Sequence, residues 1–370
     1  MRNGAAARIL VVGAGPTGLT AALELARRGF NPRIVDANPE PSSDNRAVGI
    51  NARSLEILEA SGATERLLAA GRRIVRADFW IKGRIAGAVD FSRIRHRHNY
   101  LLALPQNETE NILIRRLLEF GVTVERPVVA RSVVARSVVD LGEAVSVVID
   151  EGFRKTVEPY AIVIGADGVD SMIRHAAGIP FEGFESEKFW SVADYAIERW
   201  PYDSDSLNLF LNDRGHFGLA VGVGQNLYRF VANTPQTRFQ VPGDYSVRQT
   251  LRESIFKVQV RQAKRYQVKN RIFLVGDAAH VHSPIGGRGM NLGVEDVAVM
   301  AQLLDEDRLQ RYSSLRRPAG TTAIRLRERM VRLAEETNRV EIAIRNLMLP
   351  LVLRPPPMQR RFVARIAGLG

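Results

Sequence analysis

The chain has no cysteine in its 370 residues, which excludes disulfides and the cysteine-based zinc sets and suits a reducing cytoplasm. Lysine is scarce as well: six of the 52 basic residues are Lys and the rest are Arg. They are scattered, and no basic run is interleaved with aromatics, so the net charge of +12 does not read as a nucleic-acid surface. Such a charge draws in small anions instead. His96-x-His98 and His280-x-His282 lack a carboxylate or cysteine partner at ligand spacing, and no metal is expected. No apolar run is long enough to span a bilayer. Leu347 to Leu353, followed by Arg354 and Pro355 to Pro357, is apolar and basic but too short to span and reads as a packing helix, with a membrane-surface helix as the alternative. The N-terminal apolar stretch carries glycines and then Glu24, and its residues serve as a first strand, so no signal peptide is read there. Motifs for serine or cysteine hydrolysis are missing too.

What is present is a soluble globular composition, 45% hydrophobic and 25% charged, in a chain long enough for more than one domain. Three strand-to-turn segments stand out. Arg8 to Val12 runs into Gly13-Ala14-Gly15-Pro16-Thr17-Gly18, a GxGxxG turn. Gly13 permits the tight turn, Gly15 lets a pyrophosphate approach the backbone, and Gly18 lets the following helix pack closely. A second strand, Pro32 to Val35, ends in Asp36, placed to bind ribose hydroxyls. Ile162 to Ala166 leads into Asp167-Gly168-Val169-Asp170-Ser171 with Arg174 beyond, where Ser171 can cap a short helix. Ile272 to Val275 leads into Gly276-Asp277, then Ser283-Pro284-Ile285-Gly286-Gly287-Arg288-Gly289-Met290-Asn291 and a helix N-terminus suited to an anion. Asp277 can accept hydrogen bonds from a sugar-like chain, and the glycines let backbone N–H groups approach a planar ring.

Together these segments resemble the single-component FAD-dependent aromatic hydroxylases typified by para-hydroxybenzoate hydroxylase, over most of the chain. The resemblance implies that Gly13, Gly15, Gly18 and Asp36 hold the ADP half of FAD. Gly276 and Asp277 would hold the ribityl chain, with Pro284, Gly289, Met290 and Asn291 beside the isoalloxazine. Asp167, Gly168 and Arg174 would serve both FAD and the pyridine nucleotide, and Arg46 and Gln106 would touch the cofactor. The family's usual Glu is Asp36 here, a chemically equivalent change, and its usual Gln is Arg288. A cation there could stabilise an anionic reduced ring or bind an acidic substrate, or it could point outward to solvent.

The implied chemistry is reduction of FAD by NADPH or NADH, addition of O2, and transfer of one oxygen from a flavin hydroperoxide to a phenolic or polycyclic aromatic ring. Pro284, Arg288 and Gly289 are expected at the reacting centre. Tyr195, His216 and Asp194 are candidates for taking the phenol proton. NAD(P)H is expected to bind transiently, because no second complete GxGxxG occurs. Two other readings stay open: a flavin-dependent reductase or dehydrogenase of a quinone-like or polyprenyl compound, and a non-catalytic flavin-binding sensor. A monomer or homodimer is expected.

Along the chain, the pattern predicts an α/β protein with a discontinuous, Rossmann-like three-layer FAD domain (1–75, 101–186 and 262–308). A mostly antiparallel substrate sheet (76–100 and 187–261) and a helical C-terminal segment (309–370) complete it. A small β-meander is expected within the first domain. It contains a tandem Ala-Arg-Ser-Val-Val at 130–139, whose odd length cannot bury equivalent residues in one straight strand, so a bulge, a turn or a local duplication is expected. Tyr195, Phe210, Phe217, Leu219, Tyr228 and Phe230 are the pocket candidates in the second sheet.

Overall fold

The computed structural model describes residues 8–41, 47–138, 142–238, 241–353 and 356–369. Arg46 lies outside them. Continuous apolar runs form the centre of a six-stranded sheet: Ile9–Val12, Ile162–Gly165 and Ile272–Leu274 are buried throughout. Strands covered on both faces have no polar alternation. Five strands are parallel, in the order Ile272–Leu274, Ile162–Gly165, Ile9–Val12, Arg33–Val35 and Val124–Glu125, with Gln267–Val268 antiparallel at one edge. On one face lie the helices Pro16–Ala26, Gln106–Glu119 and Gly289–Asp305, and on the other an antiparallel meander packs Val145, Val147 and Ile149 into the same core. These make the three layers of a Rossmann-like fold.

The meander consists of Val129–Val138, Gly142–Asp150 and Lys155–Tyr160. Residues 130–138 of the tandem repeat lie within its first strand, Val139 being outside the described residues, and the register steps from Ala130↔Ile149 to Ser132↔Val148. Arg131 is therefore the extra residue of a β-bulge, and its guanidinium pairs with the Asp150 carboxylate.

An eight-stranded, mostly antiparallel sheet adjoins this unit, dominated by the paired strands Phe181–Ile197 and Val247–Ala263. Arg76–Ile81 and Arg84–Asp90 belong to it through parallel pairing with Ser206–Leu211. Its two faces differ. Leu209, Leu211, Phe217, Val231 and Trp190 pack with Ile285 and with the C-terminal helix Tyr312–Ala334. On the other face Tyr195, Phe210, Tyr228 and Phe230 form an aromatic cluster with Trp80, Trp200, Tyr202 and Tyr245.

The C-terminal segment forms three helices, Tyr312–Ala334, Arg339–Leu353 and Pro356–Ile366. Leu347 to Leu353 is the end of the second, with Leu353 buried and Leu347 and Leu351 exposed. Among the described residues no helix is long and apolar enough to cross a membrane, and no cluster of His, Asp and Glu could hold a metal.

Candidate functional site

The three glycine-bearing turns meet at the C-terminal ends of the parallel strands, where open α/β sheets bind ligands. Gly13, at φ +98°, lies so close to Ala166 that a Cβ would fall 2.4 Å from that carbonyl oxygen. Gly18 is tighter still, its would-be Cβ 1.9 Å from the Gly13 oxygen. Thr17 joins the first turn to the third: a Cβ on Gly276 or Gly293 would sit 2.7 or 2.3 Å from its Oγ1. Arg174 joins the second to the third, donating from Nη1 to the Ala278 carbonyl at 3.2 Å and from Nη2 to Val169 at 2.8 Å.

Other glycines in the same turns have open space where a side chain would be. A Cβ on Gly15, Gly168, Gly287 or Gly289 would meet no atom within 4 Å. Gly15 caps the helix Pro16–Ala26 and Arg288 caps Gly289–Asp305, neither with a side-chain hydrogen bond, and neither helix has an acidic residue in its first turn. Two positive helix ends are thereby left to an outside partner.

Asp36 accepts from Ala14 N at 2.6 Å through Oδ2 and from Asn38 N at 2.8 Å through Oδ1. Each oxygen keeps a further lone pair. Arg126 donates to the Ala14 carbonyl and lies 3.8 Å from Asp36, with its Nη1 buried and unpartnered among the described residues. Gln106 accepts from Ala47 N at 3.2 Å and donates to Glu110 at 2.8 Å. Burial pushes the Glu110 carboxyl above its ordinary range.

Asp167 is engaged within its own turn, accepting from Ser171 Oγ at 2.5 Å and Ile173 N at 3.0 Å, while Ser171 caps Arg174 N as expected. Desolvation holds the Asp167 carboxyl above its usual value. The Arg174 guanidinium lies 3.8 Å from the Phe181 ring centroid, and burial lowers its basicity.

In the third segment Asp277 and Pro284 are exposed, and Gly289 and Met290 are half-buried. Asn291 is buried and fixes the loop: its Nδ2 donates to Gly49 and Gly287 carbonyls at 2.8 and 2.6 Å, and its Oδ1 accepts from Asn51 N at 2.9 Å. Arg288 is neither free in solvent nor unpaired. It bridges Glu295 at 2.6 Å and donates to the Arg365 carbonyl at 2.8 Å, tying the loop to the last helix. His280 Nε2 lies 2.6 Å from Asp296, which also accepts from Arg316 Nε at 2.6 Å and Gly276 N at 3.2 Å. Burial opposes ionisation of Asp296, yet His280 and Arg316 hold its carboxyl below the ordinary range.

The substrate-side candidates divide by strand parity. Phe217 and Leu219 share the face of Leu209 and Val231, toward Ile285. Tyr195, Phe210, Tyr228 and Phe230 lie on the opposite face, where Tyr195 Oη bonds Thr237 Oγ1 at 2.8 Å. His216 occupies the hairpin turn beside Asn212, next to Gly215, whose would-be Cβ is 2.5 Å from the Glu335 oxygen. Asp194 is bound bidentately by Arg229 at 2.7 Å through each oxygen, and Arg229 Nη1 donates to the Ala47 carbonyl. Asp194, Arg229, Ala47, Gln106 and Glu110 thus connect the sheet to the nucleotide-binding part.

Arg126, Arg229 and Asn51 escaped the sequence reading. The available signal for Arg229 is a charged residue inside an apolar strand, Leu227–Ala232, where a buried partner is required.

The profile of the FAD binding domain family matches residues 6–240 and 235–327. Pentachlorophenol 4-monooxygenase of Sphingobium chlorophenolicum is 33% identical over 308 residues, 78% of this chain but 56% of that protein. The chain therefore spans little more than half of that relative's length. The anhydrotetracycline hydroxylase structure from Streptomyces rimosus superimposes with TM-score 0.79 at 27% identity, covering 98% of this chain and 76% of that one. The p-nitrophenol 4-monooxygenase structure from Pseudomonas putida DLL-E4 matches in fold, with TM-score 0.86 at 19% identity over 98% of both chains. With its three converging turns and this match over most of its length, the chain belongs to the FAD-dependent aromatic hydroxylase family.

Proposed function

We propose that the protein binds FAD across the three turns and uses NAD(P)H and O2 to hydroxylate a phenolic or polycyclic aromatic compound. The observation that carries this reading is the contrast among the glycines. Gly13, Gly18, Gly276 and Gly293 are required by protein packing and Gly168 and Gly287 by a positive φ, whereas Gly15 and Gly289 meet neither demand and face open space at two helix N-termini without side-chain caps. Such a surface fits a pyrophosphate at one helix and an electron-rich ring edge at the other.

Gly15 and the N-terminus of Pro16–Ala26 would receive the pyrophosphate, and the remaining lone pairs of Asp36 would receive the ribose hydroxyls. Asp277 would hold the ribityl chain. Gly287 to Asn291 would lie beside the isoalloxazine, where the positive end of Gly289–Asp305 stabilises negative charge. Bound FAD would accept electrons from NAD(P)H and activate dioxygen, so that one oxygen atom enters the ring and the other leaves as water. The protein's own work is to orient the aromatic ring and exclude water. Leu209 and Val231, half-buried beside Ile285, with Leu219 in register with both on the same sheet face, supply the apolar wall for this.

The purified protein should be yellow. A matching phenol should accelerate NAD(P)H oxidation, and 18O2 should label the product. Consumption of NAD(P)H without labelled product across a broad phenol panel overturns the hydroxylase reading, and a protein that cannot be loaded with FAD overturns the site. Asp277→Ala should weaken FAD retention roughly tenfold while leaving apoprotein stability within about 0.5 kcal/mol, since the side chain is exposed.

A further inference from the structure

Of the buried arginines, most have evident partners. Arg229 faces Asp194, Arg316 faces Asp296, Arg345 approaches Asp213, and Arg174 is held by two carbonyls and a phenyl ring. Arg327, in the helix Tyr312–Ala334, is 1% exposed and differs from them. Its Nη1 donates to the Ala323 carbonyl of its own helix at 3.1 Å, and its Nε is buried without an acceptor among the described residues. Glu295 attracts it at longer range, but that carboxylate is held by Arg288 at 2.6 Å.

The surroundings of Arg327 are the proposed aromatic site. Its Nη2 lies 3.7 Å from where a Cβ on Gly286 would be, so the guanidinium rests against the Pro284–Gly287 loop. From the same helix Ile324, Met330 and Val331 pack around Ile285, together with Leu209 and Val231 of the sheet. Desolvation lowers the Arg327 pKa to about 10, so the group is still a cation at neutral pH. Across the same loop, His282 lies with Nδ1 2.8 Å from the Ser283 carbonyl. A carbonyl only accepts, so Nδ1 carries the proton, and the neutral ring leaves Nε2 as a buried acceptor without a donor. The His282 ring lies within electrostatic reach of Arg327, and a buried guanidinium with no carboxylate at pairing distance among the described residues calls for a planar anionic partner.

We propose that Arg327 is the anion-recognition residue of the aromatic site, pairing with an acidic oxygen, phenolate or ring carboxylate, on the substrate. The proposal rests on the hydroxylase reading and narrows it to acidic aromatic compounds. Pairing with a phenolate would favour the ionised ring, the form more reactive toward an electrophilic oxygen.

The test compares matched ligands on the FAD-loaded protein at pH 8: 4-nitrophenol against 4-nitroanisole, and benzoate against benzamide. Binding is followed by calorimetry and by the flavin difference spectrum. The wild type should bind the charged member of at least one pair about tenfold tighter. Preference within the first pair alone identifies a phenolate and within the second alone a carboxylate. Arg327→Met should abolish the preference while leaving the neutral members within about twofold, and Arg327→Lys should restore part of it. Equal affinity within both pairs in the wild type overturns the proposal, and this comparison needs no folded variant. Loss of charged and neutral ligands alike in Arg327→Met also overturns it. So does a shifted flavin reduction potential with the ligand preference intact, which assigns the cation to the flavin. Arg327-dependent binding without oxygenated product keeps the site and removes the hydroxylase reading; oxygenation without anion preference does the reverse.

Discussion

At the head of the parallel sheet, the site is built from backbone that glycines bring into near contact, and side chains such as Asn291 and Asp296 hold loops in place. In the eight-stranded sheet the same function falls to side chains sorted by a two-residue alternation, with Asp194 and Arg229 facing the cofactor part and Tyr195 and Phe210 facing away. The difference concerns tolerance. A position fixed by close backbone approach admits one residue type, whereas a strand position admits any side chain that its neighbours accommodate.

The largest effect expected from breaking that contrast is at Gly18. Gly18→Ala places a methyl 1.9 Å from the Gly13 oxygen and should destabilise the protein by about 3 kcal/mol and abolish FAD retention. Gly15→Ala, in open space, should cost about 0.5 kcal/mol of apoprotein stability yet weaken FAD about tenfold. Thermal melts with and without added FAD separate the two, and equal behaviour of the variants would show that both glycines serve packing.

A smaller effect comes from His282, which stands at the start of the Ser283–Gly287 loop. Burial foremost, with the charge of Arg327, holds its pKa down to about 3. In the unfolded chain it takes a proton near pH 6.5. Between these values the unfolded state binds more protons, so stability falls on acidification, by up to about 1.4 kcal/mol per pH unit from this group. The stability difference between wild type and His282→Gln, from urea melts at pH 7.5 and 5.5, should shrink toward the acid end. A pH-independent difference would place the imidazole in solvent.

The sheet faces provide the mildest comparison. Tyr195→Phe removes the bond to Thr237 and should cost about 1 kcal/mol without altering aromatic-ligand affinity or the flavin spectrum. Leu219→Ala, on the face toward Ile285, should change ligand affinity by more than it changes the melting temperature. An inverted outcome would move the aromatic site to the outer face.

The three turns were legible because each follows an apolar strand and carries glycine where the chain must bend or approach another turn. The strands themselves were legible from runs such as Ile9–Val12 and Ile162–Gly165. The bulge at Arg131 could be anticipated from a five-residue repeat, which cannot stay in phase with a two-residue period. The face of each aromatic was not legible, because register depends on the partner strands: Tyr195 opposes Tyr228 and not a neighbour in sequence. Arg288 was equally undetermined until Glu295 and the Arg365 carbonyl appeared beside it.

By itself the sequence determined the α/β class, the order of the nucleotide turns and the family resemblance, since these rest on local steric demands that few residues meet. Tertiary structure decided that the three turns converge through Gly13, Thr17 and Arg174, which sheet face approaches the loop, and that Arg327 lies buried against Gly286 with no carboxylate at pairing distance among the described residues. Those outcomes depend on contacts between residues far apart in the chain, and the pairing of a buried charge is settled only when its neighbours are in place.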